Sequence, residues 1–267
     1  MNSDTPIITV EGMTARYGET LVLDALSFEV RRGEIFVILG GSGCGKSTLL
    51  KHMIGLYKPH AGDIRIGDSS VVSSTGSERD ALIRRFGVMY QSGALFGSMT
   101  LLENVCLPLE EFTDLEKEAR ELIGHMKLSL VGLAEYAHLM PSEISGGMKK
   151  RAAIARAMAL DPEILFLDEP SAGLDPITSA DLDELIIKLS RTLGITFVVV
   201  THELPSIYKI ADRVIMLDAR TKKIIAEGDP AALRDTSDNE WVRQFFNRKS
   251  GGHKASSAGK KEEESHE

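Results

Sequence analysis

Cysteine is scarce in this sequence, and long hydrophobic runs are absent. Cys44 and Cys106 are too few for a disulfide framework or a cysteine-rich metal site, so both are expected to be free thiols, as in a reducing cytosol. The longest apolar runs, such as 35–39 and 164–167, are far shorter than the roughly 18 to 20 residues that span a bilayer. The first residues lack the basic and apolar regions of a secretory signal. These absences predict a cytoplasmic protein that reaches a membrane only through a partner.

An excess of basic residues is also missing. The formal net charge is −8 at pH 7 and the isoelectric point is near 5.5, which argues against nucleic-acid binding by broad phosphate neutralisation. No nucleic-acid partner is therefore expected. What is present is a hydrophobic content of 43% in 267 residues, enough to fill the core of one large domain or two small ones.

The residues after the apolar run 35–39 fit the spacing G-x-x-x-x-G-K-S, and a helical pattern follows them. The eight positions are Gly40, Gly41, Ser42, Gly43, Cys44, Gly45, Lys46 and Ser47. Between a strand and a helix, this pattern cradles phosphates on backbone N–H groups at the helix N-terminus. We expect Lys46 to bind the β- and γ-phosphates and Ser47 to bind Mg²⁺. The alternative is a glycine-rich turn that binds nothing.

The hydrophobic patterns predict an α/β fold. Alternation over 7–30, with a turn at Tyr17-Gly18, predicts antiparallel strands, and 61–67 predicts another. Continuous apolar strands that alternate with helices indicate a parallel sheet covered on both faces. These strands are expected at 35–39, 86–90, 164–167 and 195–200, with helices at 48–54, 78–85 and 176–193 and a late hairpin at 214–217 and 223–226.

The middle of the chain follows a different pattern. From about 91 to 162 the long strands give way to helical periodicity, most clearly over 114–126 and 147–160, which predicts an inserted α-helical subdomain. A last helix is expected near 239–246. One domain is therefore expected over 1–248, and the Gly/Ser/Lys/Glu-rich tail at 249–267 is expected to be disordered.

Two carboxylates follow the apolar strand at 164–167. An acid in this position can hold Mg²⁺ through its water shell, and a neighbouring acid can polarise an attacking water. Asp168 is therefore the expected metal residue and Glu169 the expected general base. Alone, such a pair would also fit a solvated turn.

Small residues precede the helical pattern that begins at 147. Ser145, Gly146 and Gly147 can expose backbone N–H groups at a helix start, which would form a second phosphate-binding end. An N-cap serine with a glycine turn is the alternative.

Taken in order, these motifs resemble the ATP-binding subunits of ABC transporters over about 7–229. The matching features are the Walker A loop at 40–47, the Q-loop at Gln91, the signature motif at 145–148, the Walker B strand at 164–168, the D-loop at 171–175 and the switch histidine at His202. This resemblance implies a P-loop NTPase of the ABC type that binds ATP and Mg²⁺ and hydrolyses the ATP.

The resemblance also implies roles for single residues. Tyr17 would stack on adenine, Thr48 would contact the α-phosphate, and Asp175 would belong to the D-loop of the nucleotide site. Gln91 would touch Mg²⁺ or the lytic water, and His202 would hydrogen-bond the γ-phosphate. For Tyr17, Gln91 and His202, an ordinary structural or surface position is the alternative.

In such subunits the signature loop completes the site of a second copy, so the resemblance implies a homodimer that ATP closes and hydrolysis opens. It also implies integral membrane permease subunits, which would dock near Gln91. The apolar residues expected at that contact, with core packing as the alternative, are Ala94, Leu95, Phe96, Met99, Leu101 and Leu102.

Several details are similar to the Mla/Mce-type phospholipid transport ATPases. They include Met148 where glutamine is commonest, the segment 91–96, Asp175-Pro176-Ile177-Thr178, and the segment 242–245. This similarity implies a peripheral subunit at the cytoplasmic face of a bacterial inner membrane, with Mce-domain and small accessory proteins as further partners. Lipid is not expected to bind this chain directly. Trp241, Phe245 and Phe246 are candidates for contact with a neighbouring subunit, with packing inside the chain as the alternative.

Other functions fit parts of the pattern. An ABC importer for amino acids or another small solute keeps every motif, and a non-transport ABC ATPase of DNA repair or of ribosomes keeps most of them. The latter predicts tandem nucleotide domains, a coiled-coil insertion or a basic surface, and none is visible. A P-loop kinase or GTPase gives no role to Ser145 or His202.

Overall fold

The structure is a computed structural model that describes residues 6–247. The tail at 249–267, for which disorder was expected, lies outside the described residues. Within 6–247 the strands are β1 (Pro6–Tyr17), β2 (Thr20–Arg31), β3 (Ile35–Gly40), β4 (Ala61–Ile66), β5 (Ser69–Ser70), β6 (Phe86–Met89), β7 (Ile164–Asp168), β8 (Thr196–Val200), β9 (Arg213–Leu217) and β10 (Ile224–Gly228).

Helices connect these strands, and several of them lie on the faces of the larger sheet. In the same range they are α1 (Lys46–Met53), α2 (Gly76–Ile83), α3 (Leu101–Phe112), α4 (Lys117–Leu130), α5 (Gly146–Ala157), α6 (Pro176–Leu193), α7 (Leu204–Ile210), α8 (Pro230–Thr236) and α9 (Glu240–Phe246). Two short 3₁₀ turns, Ala134–Tyr136 and Pro141–Glu143, lie between α4 and α5.

Two sheets form the framework. The larger has the order β10-β9-β3-β8-β7-β6, in which β3, β6, β7, β8 and β9 run parallel and β10 is antiparallel to β9. The smaller is antiparallel, in the order β2-β1-β4-β5. The predicted fold class is confirmed: a parallel core with an N-terminal antiparallel part and a helical insertion.

The central strand β3 is buried along its whole length, and its alternate side chains enter two different cores. Ile35, Val37 and Leu39 pack in the core that contains α3, α5 and α6. Phe36 and Ile38 pack in the core beneath α1 and the antiparallel sheet. A strand covered on both faces must be apolar at every position, which is why this segment is a continuous hydrophobic run.

The insertion contains a helix that the sequence analysis did not predict. Helix α3 begins with a capping box, in which the Thr100 hydroxyl accepts a hydrogen bond from the Glu103 N–H and the Glu103 carboxylate accepts one from the Thr100 N–H. Leu101, which was considered for partner contact, is fully buried in the core, so core packing is the correct alternative for this residue. Phe96 is 51% exposed.

Candidate functional site

The loop between β3 and α1 turns where the sheet backbone leaves little room. Gly40 has φ +149°, and a Cβ atom there would lie 2.5 Å from the carbonyl oxygen of Leu217. Only glycine fits this position. Helix α1 then begins at Lys46, whose ammonium donates to the carbonyl oxygens of Gly40 at 2.9 Å and Gly41 at 3.2 Å. The Lys46 ammonium therefore lies at the first residues of the phosphate loop.

A cavity of about 600 Å³ opens over this loop. Its lining residues are Val22, Gly40, Gly41, Ser42, Gly43, Gly45, Lys46, Ser47, Thr48, Gln91, Glu169, His202 and Phe245. The polar residues after β6, β7 and β8 reach the same cavity as the phosphate loop, because the carboxyl ends of parallel strands share one edge of the sheet. The motif residues Lys46, Ser47, Gln91, Glu169 and His202 are thus brought together.

The acidic pair lies at the end of β7. Asp168 Oδ1 accepts a hydrogen bond from Ser47 Oγ at 3.4 Å. Burial raises the pKa of Asp168, and the neighbouring Glu169 charge raises it further. Ser47 and Asp168 are therefore adjacent oxygen donors beside the phosphate loop.

Glu169 has a strained backbone, and only one of its two carboxylate oxygens has a hydrogen-bond partner. Its φ is +47°, in the left-handed region that non-glycine residues rarely adopt. Oε1 lies 2.8 Å from Nδ1 of His202, whereas Oε2 is buried and has no hydrogen-bond partner. A buried acceptor without a donor fits a carboxylate that orients a water bound beside the phosphates.

The donor set also fits Mg²⁺. Ser47, Gln91 and Asp168 offer oxygen ligands, which hard divalent cations prefer. Among the described residues no cluster of three or more His, Cys, Asp and Glu side chains is positioned to hold a metal ion. Mg²⁺ usually binds one or two protein oxygens together with waters and substrate phosphates.

Some expected site residues lie outside this cavity. Ser145 caps α5, where its hydroxyl accepts a hydrogen bond from the Met148 N–H at 3.3 Å, and neither it nor Gly146 nor Gly147 lines the cavity. A Cβ at Gly147 would lie 2.4 Å from Thr178 Cγ2, so the start of α5 packs closely on α6.

Asp175, Tyr17 and Cys44 also do not line the cavity. The carboxylate of Asp175 caps α6 by accepting from the N–H groups of Ile177 and Thr178, both at 3.0 Å. A hydrogen bond from the Thr178 hydroxyl, together with these two, lowers the pKa of Asp175. The Tyr17 hydroxyl lies 3.5 Å from Thr48 Oγ1. Cys44 is buried beneath the loop, where burial raises its thiol pKa, and both cysteines are free as expected.

Two lining residues were not predicted from the sequence. Val22 lies on β2, and Phe245 lies on α9, far along the chain. Helix α9 also places Trp241 beside the phosphate loop, 3.9 Å from the position that a Cβ of Gly41 would occupy. Phe246 is buried in the core, so packing within the chain is correct for this residue. No local motif marks Val22 or Phe245, because only the tertiary fold brings them to the loop.

Across residues 6–247, every helix is either too short or too polar to cross a bilayer.

Comparison with known proteins gives consistent matches. Residues 23–172 match the family model described as ABC transporter. The chain is 40% identical, over 90% of its length and 88% of the relative, to the intermembrane phospholipid transport system ATP-binding protein MlaF of Escherichia coli K12. It is also 40% identical to the probable ribonucleotide transport ATP-binding protein mkl of Mycobacterium leprae, of which it spans 68%.

Solved structures of similar chains agree with the fold. A dimeric, post-hydrolysis structure of the ATP-binding cassette MJ0796 bound to ADP and Pi matches with a TM-score of 0.74 at 30% identity, covering 83% of this chain and 98% of the other. CbiO1 of Clostridium perfringens, part of the ABC transporter complex cbiONQ, matches with a TM-score of 0.79 at 27% identity, covering 92% and 96% of the two chains.

Proposed function

Because this chain belongs to the ABC transporter family and is its ATP-binding, ATP-hydrolysing type of subunit, we propose that it powers phospholipid transport between an inner membrane and the outer envelope. The observation that carries the enzymatic part is the convergence of Lys46, Glu169 and His202 on one cavity. The names of the relatives support the transport part.

The proposed roles combine the family resemblance with the position of each residue in the structure. The phosphate loop and Lys46 bind the phosphates, Thr48 contacts the α-phosphate, and Tyr17 stacks on the adenine ring. Ser47, Gln91 and Asp168 hold Mg²⁺, which would neutralise charge on the phosphate oxygens when bound. Glu169 polarises the attacking water through its unpartnered Oε2. His202, held by Glu169 Oε1, faces the terminal phosphate.

The remaining predicted residues are proposed to act on a second copy. Ser145, Gly146 and Gly147 lie outside the cavity of their own chain, as does Asp175. In a homodimer each chain would lend these loops to the nucleotide of the other, so ATP would close the pair and hydrolysis would open it. The dimeric state of MJ0796, a similar cassette, supports this arrangement.

We propose that the domain spans 1–248, with its helical subdomain at about 91–162, and lies against the cytoplasmic face of the membrane. The proposed partners are integral permease subunits, with Mce-domain and small accessory proteins. Lipid is not proposed to touch this chain. An importer of small solutes is the second candidate, since mkl is named for ribonucleotide transport.

Copurification from native membranes tests the transport assignment. The chain is isolated through a tag, and the proteins and lipids that accompany it are identified by mass spectrometry. A permease with an Mce-domain protein and bound phospholipid is the expected result. A permease with a solute-binding protein would overturn the lipid assignment in favour of the importer.

The Glu169→Gln variant tests the enzymatic assignment. Loss of a general base lowers rates by roughly 10²- to 10⁴-fold, so we expect phosphate release to be nearly abolished. In the presence of ATP and Mg²⁺ the variant should accumulate as a dimer, which light scattering detects. Glu118→Gln, on the exposed surface of α4, is the control and should retain full activity. Undiminished turnover of Glu169→Gln would remove Glu169 from the role of base.

A further inference from the structure

A buried lysine on α5 joins two of the loops that form the cavity. Lys150 is 6% exposed, and its ammonium donates to the carbonyl oxygen of Gln91 and, at 3.3 Å, to that of Glu169. Gln91 follows β6 and Glu169 follows β7, so one side chain connects the ends of two adjacent strands. We propose that Lys150 is a positioning residue for the general base Glu169, an inference that rests on the proposed ATPase function.

The burial of this ammonium needs an explanation, because a charge taken out of water is costly unless it is hydrogen-bonded. Burial lowers the pKa of Lys150, and the nearby carboxylates of Glu169, Asp168 and Glu203 oppose that shift. Two main-chain carbonyl oxygens are its hydrogen-bond acceptors, and both belong to residues of the cavity wall. Because its acceptors are main-chain carbonyl groups, the Lys150 ammonium holds the backbone at Gln91 and Glu169 in place.

One of the two backbone segments that Lys150 holds, at Glu169, is strained. Residue 169 has a left-handed φ, a conformation that persists only where the surroundings hold it in place. The Glu169 N–H donates to the Val200 carbonyl oxygen at 2.8 Å. Its own carbonyl accepts from the Lys150 ammonium at 3.3 Å and from the Ala172 N–H at 3.2 Å. Both ends of the residue are therefore held, which fixes the carboxylate at 2.8 Å from His202.

The same ammonium connects the base to the start of α5. Lys150 lies five positions after Ser145, on the helix whose first turn is proposed to enter the site of the second copy. Helix α5 would contact the partner at its first turn, and its Lys150 binds the carbonyl oxygens of Gln91 and Glu169. A movement of the helix on dimer closure would therefore be transmitted directly to the general base. The link does not include Lys46 or Thr48, which are proposed to contact the phosphates, so we expect it to affect kcat more than KM.

The test compares three variants of the full chain in complex with its copurified membrane partners. Lys150→Met keeps the length and apolar stem but removes the donors, and Lys150→Arg keeps charge and donors. Lys188→Met, the same substitution at an exposed position of α6, is the matched control. Phosphate release gives kcat and KM, and equilibrium binding of ATP counts the folded sites.

We expect Lys150→Met to lower kcat per bound ATP by about 10- to 100-fold, as for a misplaced catalytic group, with KM within about twofold of the unmodified chain. Lys150→Arg should keep most of kcat, and Lys188→Met should leave it unchanged. Unchanged kcat per bound ATP in Lys150→Met would overturn the inference. A purely structural role would instead reduce the number of binding sites and leave kcat per site intact, which also overturns it.

ATP hydrolysis by the unmodified complex distinguishes failure of the proposed function from failure of the role of Lys150. If it does not hydrolyse ATP, the proposed function fails, and the role of Lys150 fails with it. If it hydrolyses ATP and Lys150→Met does so equally well, the proposed function stands and only the positioning role is lost.

Discussion

Asp183 is a buried carboxylate on α6 that opens onto a second cavity, behind His202. Burial raises its pKa to about 6, and Glu203 contributes in the same direction, while the Ser206 hydroxyl and Lys209 oppose the shift. Because its folded pKa lies above the unfolded value of 3.8, the protonated form stabilises the fold. That stability is complete below the unfolded pKa and is lost as the pH rises through about 6.

The Asp183→Asn variant mimics the protonated form at every pH. We expect it to raise the free energy of unfolding at pH 8 by on the order of 2 kcal/mol, which corresponds to several degrees in Tm. The gain should shrink towards pH 5. Thermal melts at the two pH values measure it, with the exposed Asp181→Asn on the same helix as control. An equal gain at both pH values would contradict the assignment to Asp183.

At the level of residues, the sequence predicted the parts of the cavity that belong to local motifs. Lys46 and Ser47 lie where the phosphate-loop spacing places them, and Gln91 and His202 reach the same cavity. The position of Phe245 at the cavity and the contacts of Lys150 were missed for one physical reason. Their positions depend on contacts between segments distant in sequence, and neither residue lies in a pattern that marks such a contact.

Among the elements, α3 depends on one fully buried side chain. Asn104 accepts a hydrogen bond from the Phe96 N–H at 2.8 Å and donates to the carbonyl oxygens of Phe96, Met99 and Thr100 at 3.1, 3.1 and 2.9 Å. This one amide fixes the loop at 96–100 that enters α3.

Replacing Asn104 with leucine keeps the volume and removes every one of these bonds. Because buried main-chain groups would lose their partners, we expect a loss of roughly 2 to 4 kcal/mol in the free energy of unfolding. Urea denaturation measures it. Glu103→Gln, which preserves the capping box one position earlier, should change stability by less than about 0.5 kcal/mol. A neutral Asn104→Leu would show that this loop satisfies its own backbone.

The bounds of helices and strands were predictable where the sequence has residues that strongly favour the start or end of an element. Helix α6 spans 176–193 as expected, because Asp175-Pro176 begins it and Gly194, with φ +69°, ends it. Helices α7 and α8 were missed, and each has only seven residues, which gives a weak periodic pattern. Helix α9 has the same length and was predicted. Helix α3 contains Pro108, which argues against a helix on sequence grounds.

For the whole molecule, the separation of Ser145 from the cavity of its own chain has a testable consequence. In the Glu169→Gln background, Ser145→Arg should prevent the ATP-dependent dimer seen in light scattering but leave ATP binding by each chain intact. The bulky cation blocks the surface offered to a second copy, and the lost Ser145 cap of α5 should cost only about 1 kcal/mol in stability. Ser129→Arg, exposed on α4, is the control. Dimers that persist in Ser145→Arg would contradict the exchange of loops.

The global architecture was predictable because buried parallel strands are recognisable as uniform apolar runs. The order of strands in the sheet was not, because pairing of β3 with both β8 and β9 joins segments about 160 residues or more apart. Sequence patterns report which face of a segment is buried, not which segment covers it.

The position of Trp241 gives the molecule an optical signal of its own. It is the single tryptophan of the chain and lies beside Gly41 of the phosphate loop. Indole emission responds to local polarity and charge, so the arrival of a triphosphate can be followed by intrinsic fluorescence in the unmodified protein, in real time and without a dye.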